Sequence, residues 1–112
     1  MRYRVTVRRG PKVEHSKHES LDDALVVVEA DARTAPRRGS VEFLSRHYEP
    51  GDQVAVRIEL KGPGLRVGVD VRGDGGIQAW TGRWRRRPLE LEDGETPFEA
   101  LRRVVQSTSV EP

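Results

Sequence analysis

The chain of 112 residues contains no cysteine and no asparagine, and its only aromatic residues are two tryptophans, two tyrosines and two phenylalanines. Without cysteine, disulfides and thiolate metal sites are excluded, which is typical of a protein from a reducing compartment. The longest apolar run, residues 24–28, is too short to span a membrane. The first residues alternate like a strand instead of resembling a secretory signal. We therefore expect a cytoplasmic protein with no membrane association.

Positive charge is in only slight excess. Twenty basic residues against eighteen acidic ones leave a formal net charge of +2, and only Lys12, Lys17 and Lys61 are lysines. Such a balance does not by itself imply a polyanionic partner. The length suits one hydrophobic core, so we expect residues 1–112 to form a single domain with a frayed tail over residues 107–112.

The clearest pattern lies in residues 54–72, where two alternating runs are separated by Gly62-Pro63-Gly64. Apolar residues occupy the even positions of the first run and the odd positions of the second. This period of two predicts two antiparallel strands with one aliphatic face and one charged face. We expect Leu60 to pair with Leu65 across the turn.

A third strand follows from Ile77 to about Arg85, and its orientation depends on the turn before it. A two-residue turn at Asp74-Gly75 places Trp80 and Trp84 on the aliphatic face; a three-residue loop with a glycine bulge reverses this and places them among the charges. We favour the two-residue turn, because Asp-Gly suits it and each tryptophan offers about 200 Å² to bury.

The remaining elements are two helices and two further strands. Residues 2–8 alternate and predict a strand, followed by a polar loop or a frayed second strand. Ser20 caps a helix over residues 21–34. Residues 41–48 are interpreted as a strand, with a short helical turn as the alternative because the apolar residues Phe43 and Leu44 are adjacent. Thr96-Pro97-Phe98-Glu99 combines a capping threonine, a first-turn proline and a capping-box glutamate, so it begins a second helix.

The element order β-α-β-β-β-β-α predicts a two-layer α+β domain. Its antiparallel sheet has four to five strands, and both helices pack on the aliphatic face. The other sheet face is left open, and open faces of this kind meet a second copy or another protein.

The open face supplies the first functional hypothesis, which is a non-catalytic domain that forms a homodimer or docks a protein partner. Its candidate residues are charged, with Ile77, Ala79 and Thr81 beside them in the favoured register: Arg57, Glu59, Arg66, Asp70 and Arg72. No specific biochemical activity follows from them.

The alternative hypothesis is nucleic-acid binding at the arginine-rich end of the third strand. There an aromatic residue stands among four arginines, a combination that stacks bases and contacts phosphates: Arg83, Trp84, Arg85, Arg86 and Arg87. The acidic connector 88–94 follows closely, and we expect its carboxylates to offset these arginines.

Catalytic, metal and cofactor signatures are weak. His15 and His18 with flanking glutamates, and His47 further along, have the residue types of a zinc site, but Lys17 lies between the first two and we expect free histidines. No serine lies in a nucleophile motif, and Gly62-Pro63-Gly64 and Gly73-Asp74-Gly75-Gly76 are hairpin turns instead of phosphate loops. We expect no enzyme, no metal and no cofactor.

Overall fold

The computed structural model of the protein describes residues 2–34, 41–43, 46–48, 54–82 and 85–109. In chain order the elements are β1 (Tyr3–Arg9), β2 (Lys12–His18), α1 (Leu21–Arg33), β3 (Val41–Phe43), β4 (Arg46–Tyr48), β5 (Val54–Gly62), β6 (Leu65–Arg72), β7 (Ile77–Thr81), β8 (Arg87–Pro88) and α2 (Pro97–Ser109). Six strands form one antiparallel sheet in the order β2-β1-β5-β6-β7-β8. The predicted α+β class is confirmed, with six strands in the main sheet instead of four to five.

Two strands of this sheet were not predicted: the short strand β8, and β2, which the sequence left as a polar loop or a frayed strand. β2 forms a hairpin with β1 in which Tyr3 lies opposite His18 and Arg9 opposite Lys12. The intervening turn contains Gly10 with a φ of 59°. On its other side β1 pairs with β5. The N-terminal strand is therefore an inner strand, and β2 takes the sheet edge.

The hydrophobic core lies between one face of the sheet and both helices. Valine, isoleucine and leucine side chains from β1, β5 and β6 point to this face, and Val5, Ile58 and Val67 are completely buried. The helices contribute Leu25 and Val28 of α1 and Leu101 and Val105 of α2 to the same cluster. Burial at about 25 cal/mol per Å² of apolar surface makes this cluster the main source of stability. Neither of the two helices in the described part of the chain lies on the opposite sheet face.

Both predicted helix starts are present. The Ser20 hydroxyl accepts a hydrogen bond from the Asp23 N–H at 2.9 Å, and α1 ends at Arg33, one residue before the expected end. Thr96 and Glu99 form the reciprocal capping box at 3.1 and 2.8 Å. α2 continues to Ser109, so the first three residues of the tail expected to fray are helical. Residues 110–112 lie outside the described part.

The predicted strand over residues 41–48 is instead two short strands. β3 and β4 pair antiparallel with each other, with Val41 opposite Tyr48, and they form a separate sheet. The single-strand prediction failed because the chain reverses direction between Phe43 and Arg46, so the two halves of the segment face each other. Residues 44 and 45 lie outside the described part.

The β5–β6 hairpin has a tighter turn than predicted. Gly62 lies opposite Leu65, and Leu60 therefore faces Val67 instead of Leu65. The turn is Pro63-Gly64, in which Gly64 takes a φ of 66°. The predicted pairing is wrong by two residues, and because side chains alternate with a period of two, the aliphatic and charged faces keep their residues from Val56 onward. Val54 changes face, because the register shifts between Val54 and Val56 and places Val54 opposite Arg72.

The favoured register of the third strand is wrong. Gly68 lies opposite Trp80 and Val69 opposite Ala79, so Trp80 leaves the aliphatic face and Ala79 joins it. The turn is the three-residue loop Gly73-Asp74-Gly75, in which the Gly75 N–H donates to the Arg72 carbonyl at 2.9 Å and Gly75 has a φ of 90°. This is the glycine-bulge geometry, and the Asp74 carboxylate reinforces it by accepting from the Gly76 N–H at 2.8 Å.

Candidate binding face

The open face is the side of the six-stranded sheet turned away from the helices. Its members follow from the registers, since residues directly opposite each other share a face. They are Val13, His15 and Lys17 of β2, Arg4, Thr6 and Arg8 of β1, Val54, Arg57, Glu59 and Lys61 of β5, Arg66, Gly68, Asp70 and Arg72 of β6, and Gln78 and Trp80 of β7.

Trp80 lies on this face next to Gly68 of β6. Its exposure is only 2%, although neither α1 nor α2 covers it. A Cβ built on Gly68 falls 2.5 Å from the indole Cζ2, so the ring occupies space that a side chain on β6 would otherwise fill. The guanidinium groups of Arg66 and Arg86 cover the ring, 5.4 and 5.6 Å from its centroid. The ring is therefore enclosed and offers no free stacking surface.

The indole N–H explains why Trp80 faces this side. It donates to the Asp70 carboxylate at 3.1 Å. The aliphatic face opposite holds valines, which offer no side-chain acceptor, and a buried indole N–H without a partner is unfavourable. Two local signals were readable in the sequence: a glycine within a valine-rich strand, and an aspartate two residues from it.

Both acidic side chains of the open face are bound to arginines. Asp70 accepts two hydrogen bonds from Arg57, at 2.9 and 3.1 Å, and Glu59 accepts from Arg66 at 2.6 Å. Arg72 donates to Gln78 at 3.1 Å. The five residues predicted for partner docking therefore do lie together on this face. The three residues expected beside them, Ile77, Ala79 and Thr81, lie opposite Val71, Val69 and Val67 and are all on the core side instead.

Positive charge dominates the open face. Seven basic residues project from its strands and Arg86 lies over Trp80, against the two carboxylates already described: Lys17, Arg4, Arg8, Arg57, Lys61, Arg66 and Arg72. In the described part of the chain, Arg4, Arg8, Lys17 and Lys61 form no ion pair. The modest overall charge thus conceals a strongly basic surface.

Sequence reasoning missed the contribution of β1 and β2 to this face. The alternation of Arg4 and Arg8 with valines was visible, but the partner of β1 is separated from it by some fifty residues of chain. Nothing local indicates that β1 inserts between β2 and β5. The four unpaired cations therefore come together only in the folded sheet.

The arginine-rich segment of the alternative hypothesis adjoins this face. Arg86 reaches over Trp80, Arg87 belongs to the short strand β8, and Arg85 is exposed. Arg83 and Trp84 lie outside the described residues. The acidic connector was expected to offset these arginines, but Glu92 and Glu95 instead form ion pairs with Arg103 of α2.

Acidic residues concentrate away from the open face, on α1 and around the start of α2. The Arg103 guanidinium, hydrogen-bonded to Glu95, holds the pKa of that carboxyl below its usual range, with help from the Glu92 N–H. The same contact raises the pKa of Arg103. These exposed ion pairs tie the connector to α2 and leave the cations of the sheet unaffected.

The two histidines of β2 point to opposite faces of the sheet, since they are three positions apart on a strand. His15 shares a hydrogen bond of 3.0 Å with Thr6 on the open face, and His18 shares one of 2.8 Å with Ser16 on the other. Within the described residues, no three histidine, aspartate or glutamate side chains are placed to hold a metal ion.

Comparisons with known proteins add no identification: no family profile, no characterised protein and no solved structure matches the chain. Among the helices in the described part, none has the length and apolar composition required to cross a membrane. The geometry of the open face is therefore the basis for a functional proposal.

Proposed function

We propose that this protein is a non-catalytic, cytoplasmic domain that binds nucleic acid through the open face. The observation that carries the proposal is a set of four cations that form no ion pair with any described residue, Arg4, Arg8, Lys17 and Lys61. They lie on a face whose two carboxylates are already bound to arginines. Basic residues clustered on one face of a domain are the electrostatic footprint of nucleic-acid binding. The absence of cysteine supports the cytoplasmic assignment.

The contacts are to phosphates rather than to bases. Trp80 is enclosed between Gly68 and the guanidinium groups of Arg66 and Arg86, so it does not stack on a base in this arrangement. Lysine and arginine contacts to phosphates position a nucleic acid without reading its sequence. We therefore expect binding with little sequence preference and a steep dependence on salt.

The test is a fluorescence-anisotropy titration of labelled single- and double-stranded oligonucleotides at increasing salt. Each phosphate contact contributes about 0.9 to the slope of log affinity against log salt for a duplex and about 0.7 for a single strand. Arg4→Gln combined with Arg8→Gln should weaken binding and reduce the slope by about 1.4 to 1.8. The matched control, Arg33→Gln with Arg102→Gln, removes the same charge from the helix layer. It should leave both the affinity and its salt dependence unchanged. Equal effects of the two variant pairs would refute the assignment to the open face.

A second candidate function is self-association, and it is favoured at the edge of the sheet. β2 is an outer strand of seven residues with one unpaired side, and Val13 on it is 40% exposed. Pairing of two such edges extends a sheet across a dimer. Direct contact of two open faces is disfavoured, because it brings the cations of both copies together.

Size-exclusion chromatography with light scattering at micromolar concentration tests this second candidate. We expect a dimer that Val13→Lys converts to a monomer, because an added charge on the edge strand opposes edge-to-edge pairing. A wild-type protein that is monomeric at every concentration would exclude self-association and leave the nucleic-acid proposal untouched.

A further inference from the structure

Three cations stand side by side across the middle and edge strands of the open face. Lys17 of β2 lies directly opposite Arg4 of β1, and Arg4 lies directly opposite Lys61 of β5. Side chains at such positions have their Cβ atoms about 4.5 to 5.5 Å apart. We name these three residues the cationic row. Arg66 of β6 lies opposite Lys61 at one end, but its guanidinium is bound to Glu59.

The fold gives no reason for the cationic row. Like charges directly opposite each other destabilise a sheet. Arg57 also lies opposite a cation, Arg8, but on its other side it faces Asp70 and forms an ion pair with it, whereas in the described part of the chain no residue of the cationic row forms an ion pair. Lysines on an edge strand discourage aggregation, which accounts for Lys17. That explanation does not extend to Arg4 and Lys61, because β1 and β5 are inner strands.

A cleft beside the cationic row has room for an anion. It has a volume of about 530 Å³ and is lined by Arg2, Tyr3, Gly62 and the three residues of the row. Four cations thus line one cleft, and none of the described residues that line it carries a carboxylate. Gly62 shapes it: a Cβ built there falls 2.6 Å from the Tyr3 ring, so a side chain at this position would displace the ring.

We propose that the cationic row is a phosphate-binding site, the place on the open face where the backbone of a nucleic acid is held. This inference rests on the proposed function and specifies the contact. Phosphate suits the site better than a single carboxylate, because it offers more oxygens and charge to four cations, and the Arg4 guanidinium matches its geometry with two parallel hydrogen bonds. Bound phosphate also offsets the repulsion within the row.

Because like charges face each other in the cationic row, removing one of them should stabilise the protein when no ligand is bound. At low salt, Lys61→Thr should raise Tm by about 2 to 4 °C, the effect of one unfavourable cross-strand pair in a domain of this size. Lys17→Gln should act in the same direction. Lys12→Thr removes equal charge from a lysine paired with Glu14 at 3.9 Å, and it should not raise Tm.

The binding test uses sodium tripolyphosphate as the probe, with thermal shift and isothermal titration as readouts. We expect the probe to raise the Tm of the wild type and of Lys12→Thr, and to bind Lys61→Thr and Lys17→Gln about tenfold more weakly, as for loss of one charged hydrogen bond. The inference would be overturned if both row variants bound the probe with wild-type affinity. It would also be overturned if, without the probe, both variants had a lower Tm than the wild type. Equal affinity for polyglutamate of matched charge would overturn the choice of phosphate and point to an acidic protein.

An oligonucleotide titration of the same variants separates this inference from the proposed function. Tripolyphosphate binding that depends on Lys61, without oligonucleotide binding, supports the phosphate site and refutes nucleic acid as the ligand. Oligonucleotide binding that is unchanged in Lys61→Thr and Lys17→Gln supports the proposed function and refutes the row as its contact.

Discussion

Gly68 and Trp80 together define the open face, and the substitution Gly68→Ala tests their arrangement directly. A Cβ at this position falls 2.2 Å from the Ile58 carbonyl oxygen and 2.5 Å from Trp80 Cζ2. Real contacts of a Cβ are longer than 3.0 Å. The carbonyl oxygen belongs to the backbone of the neighbouring inner strand, so the methyl group cannot be accommodated by rotating a side chain.

The expected loss of stability follows from these two contacts. Overpacking of a well-filled site costs about 1 to 3 kcal/mol, and a clash with backbone belongs at the upper end. Displacement of Trp80 also weakens its hydrogen bond to Asp70, a further contribution of about 1 kcal/mol. We therefore expect the free energy of unfolding to fall by about 3 to 4 kcal/mol, which lowers Tm by more than 10 °C.

Urea denaturation followed by circular dichroism measures the loss, and tryptophan emission in a Trp84→Phe background reports on Trp80 alone. We expect a red shift of that emission in Gly68→Ala. The control is Gly10→Asn, since nothing lies within 4 Å of a Cβ at Gly10 and its φ of 59° suits asparagine. That control should cost less than about 1 kcal/mol. An equally small loss in Gly68→Ala, with unchanged emission, would show that Trp80 does not lie over Gly68.

Two further predictions concern ion pairs on opposite sides of the molecule. Arg57 and Asp70 are only 31% and 14% exposed and bond through two atoms each, so a double-mutant cycle of Arg57→Gln and Asp70→Asn should give a coupling of about 1 kcal/mol; a coupling below about 0.3 kcal/mol would contradict this geometry. On the helix side, the lowered pKa of Glu95 stabilises the fold above the usual carboxyl range, and this stabilisation is lost as pH falls through the lowered value. The difference in Tm between wild type and Glu95→Gln should therefore be largest at neutral pH and shrink in acid; a difference independent of pH would contradict the prediction, and Glu90→Gln serves as the control.

The sequence was sufficient for the parts of the fold that depend on local patterns. The alternation in residues 56–72 identified the aliphatic and charged faces correctly, although the turn was two residues shorter than expected and a register shift moved Val54 to the charged face. Ser20 and the Thr96-Pro97-Phe98-Glu99 motif located both helix starts. In each instance the signal and the structure it specifies lie within a few residues of each other.

The other features of the fold depend on loop length and on pairing between distant strands, which the local sequence does not determine. The face occupied by Trp80 changes with one residue of loop length between Arg72 and Gly76, and the Asp-Gly pair is compatible with either loop. The pairing of β1 with β5 is a contact between distant segments, and it brings Arg4 next to Lys61. The predicted docking residues were therefore found together, while the unpaired cations beside them were not foreseen.

The most direct test of the account is an NMR titration of the ¹⁵N-labelled protein with a short oligonucleotide at low salt. We predict that amide shifts concentrate in β1, β2 and β5 around Arg4, Lys17 and Lys61, that α1 and α2 remain unperturbed, and that added salt reverses the changes. Shifts confined to the helices, or the absence of any shift at low salt, would contradict the claim that the basic sheet face binds nucleic acid.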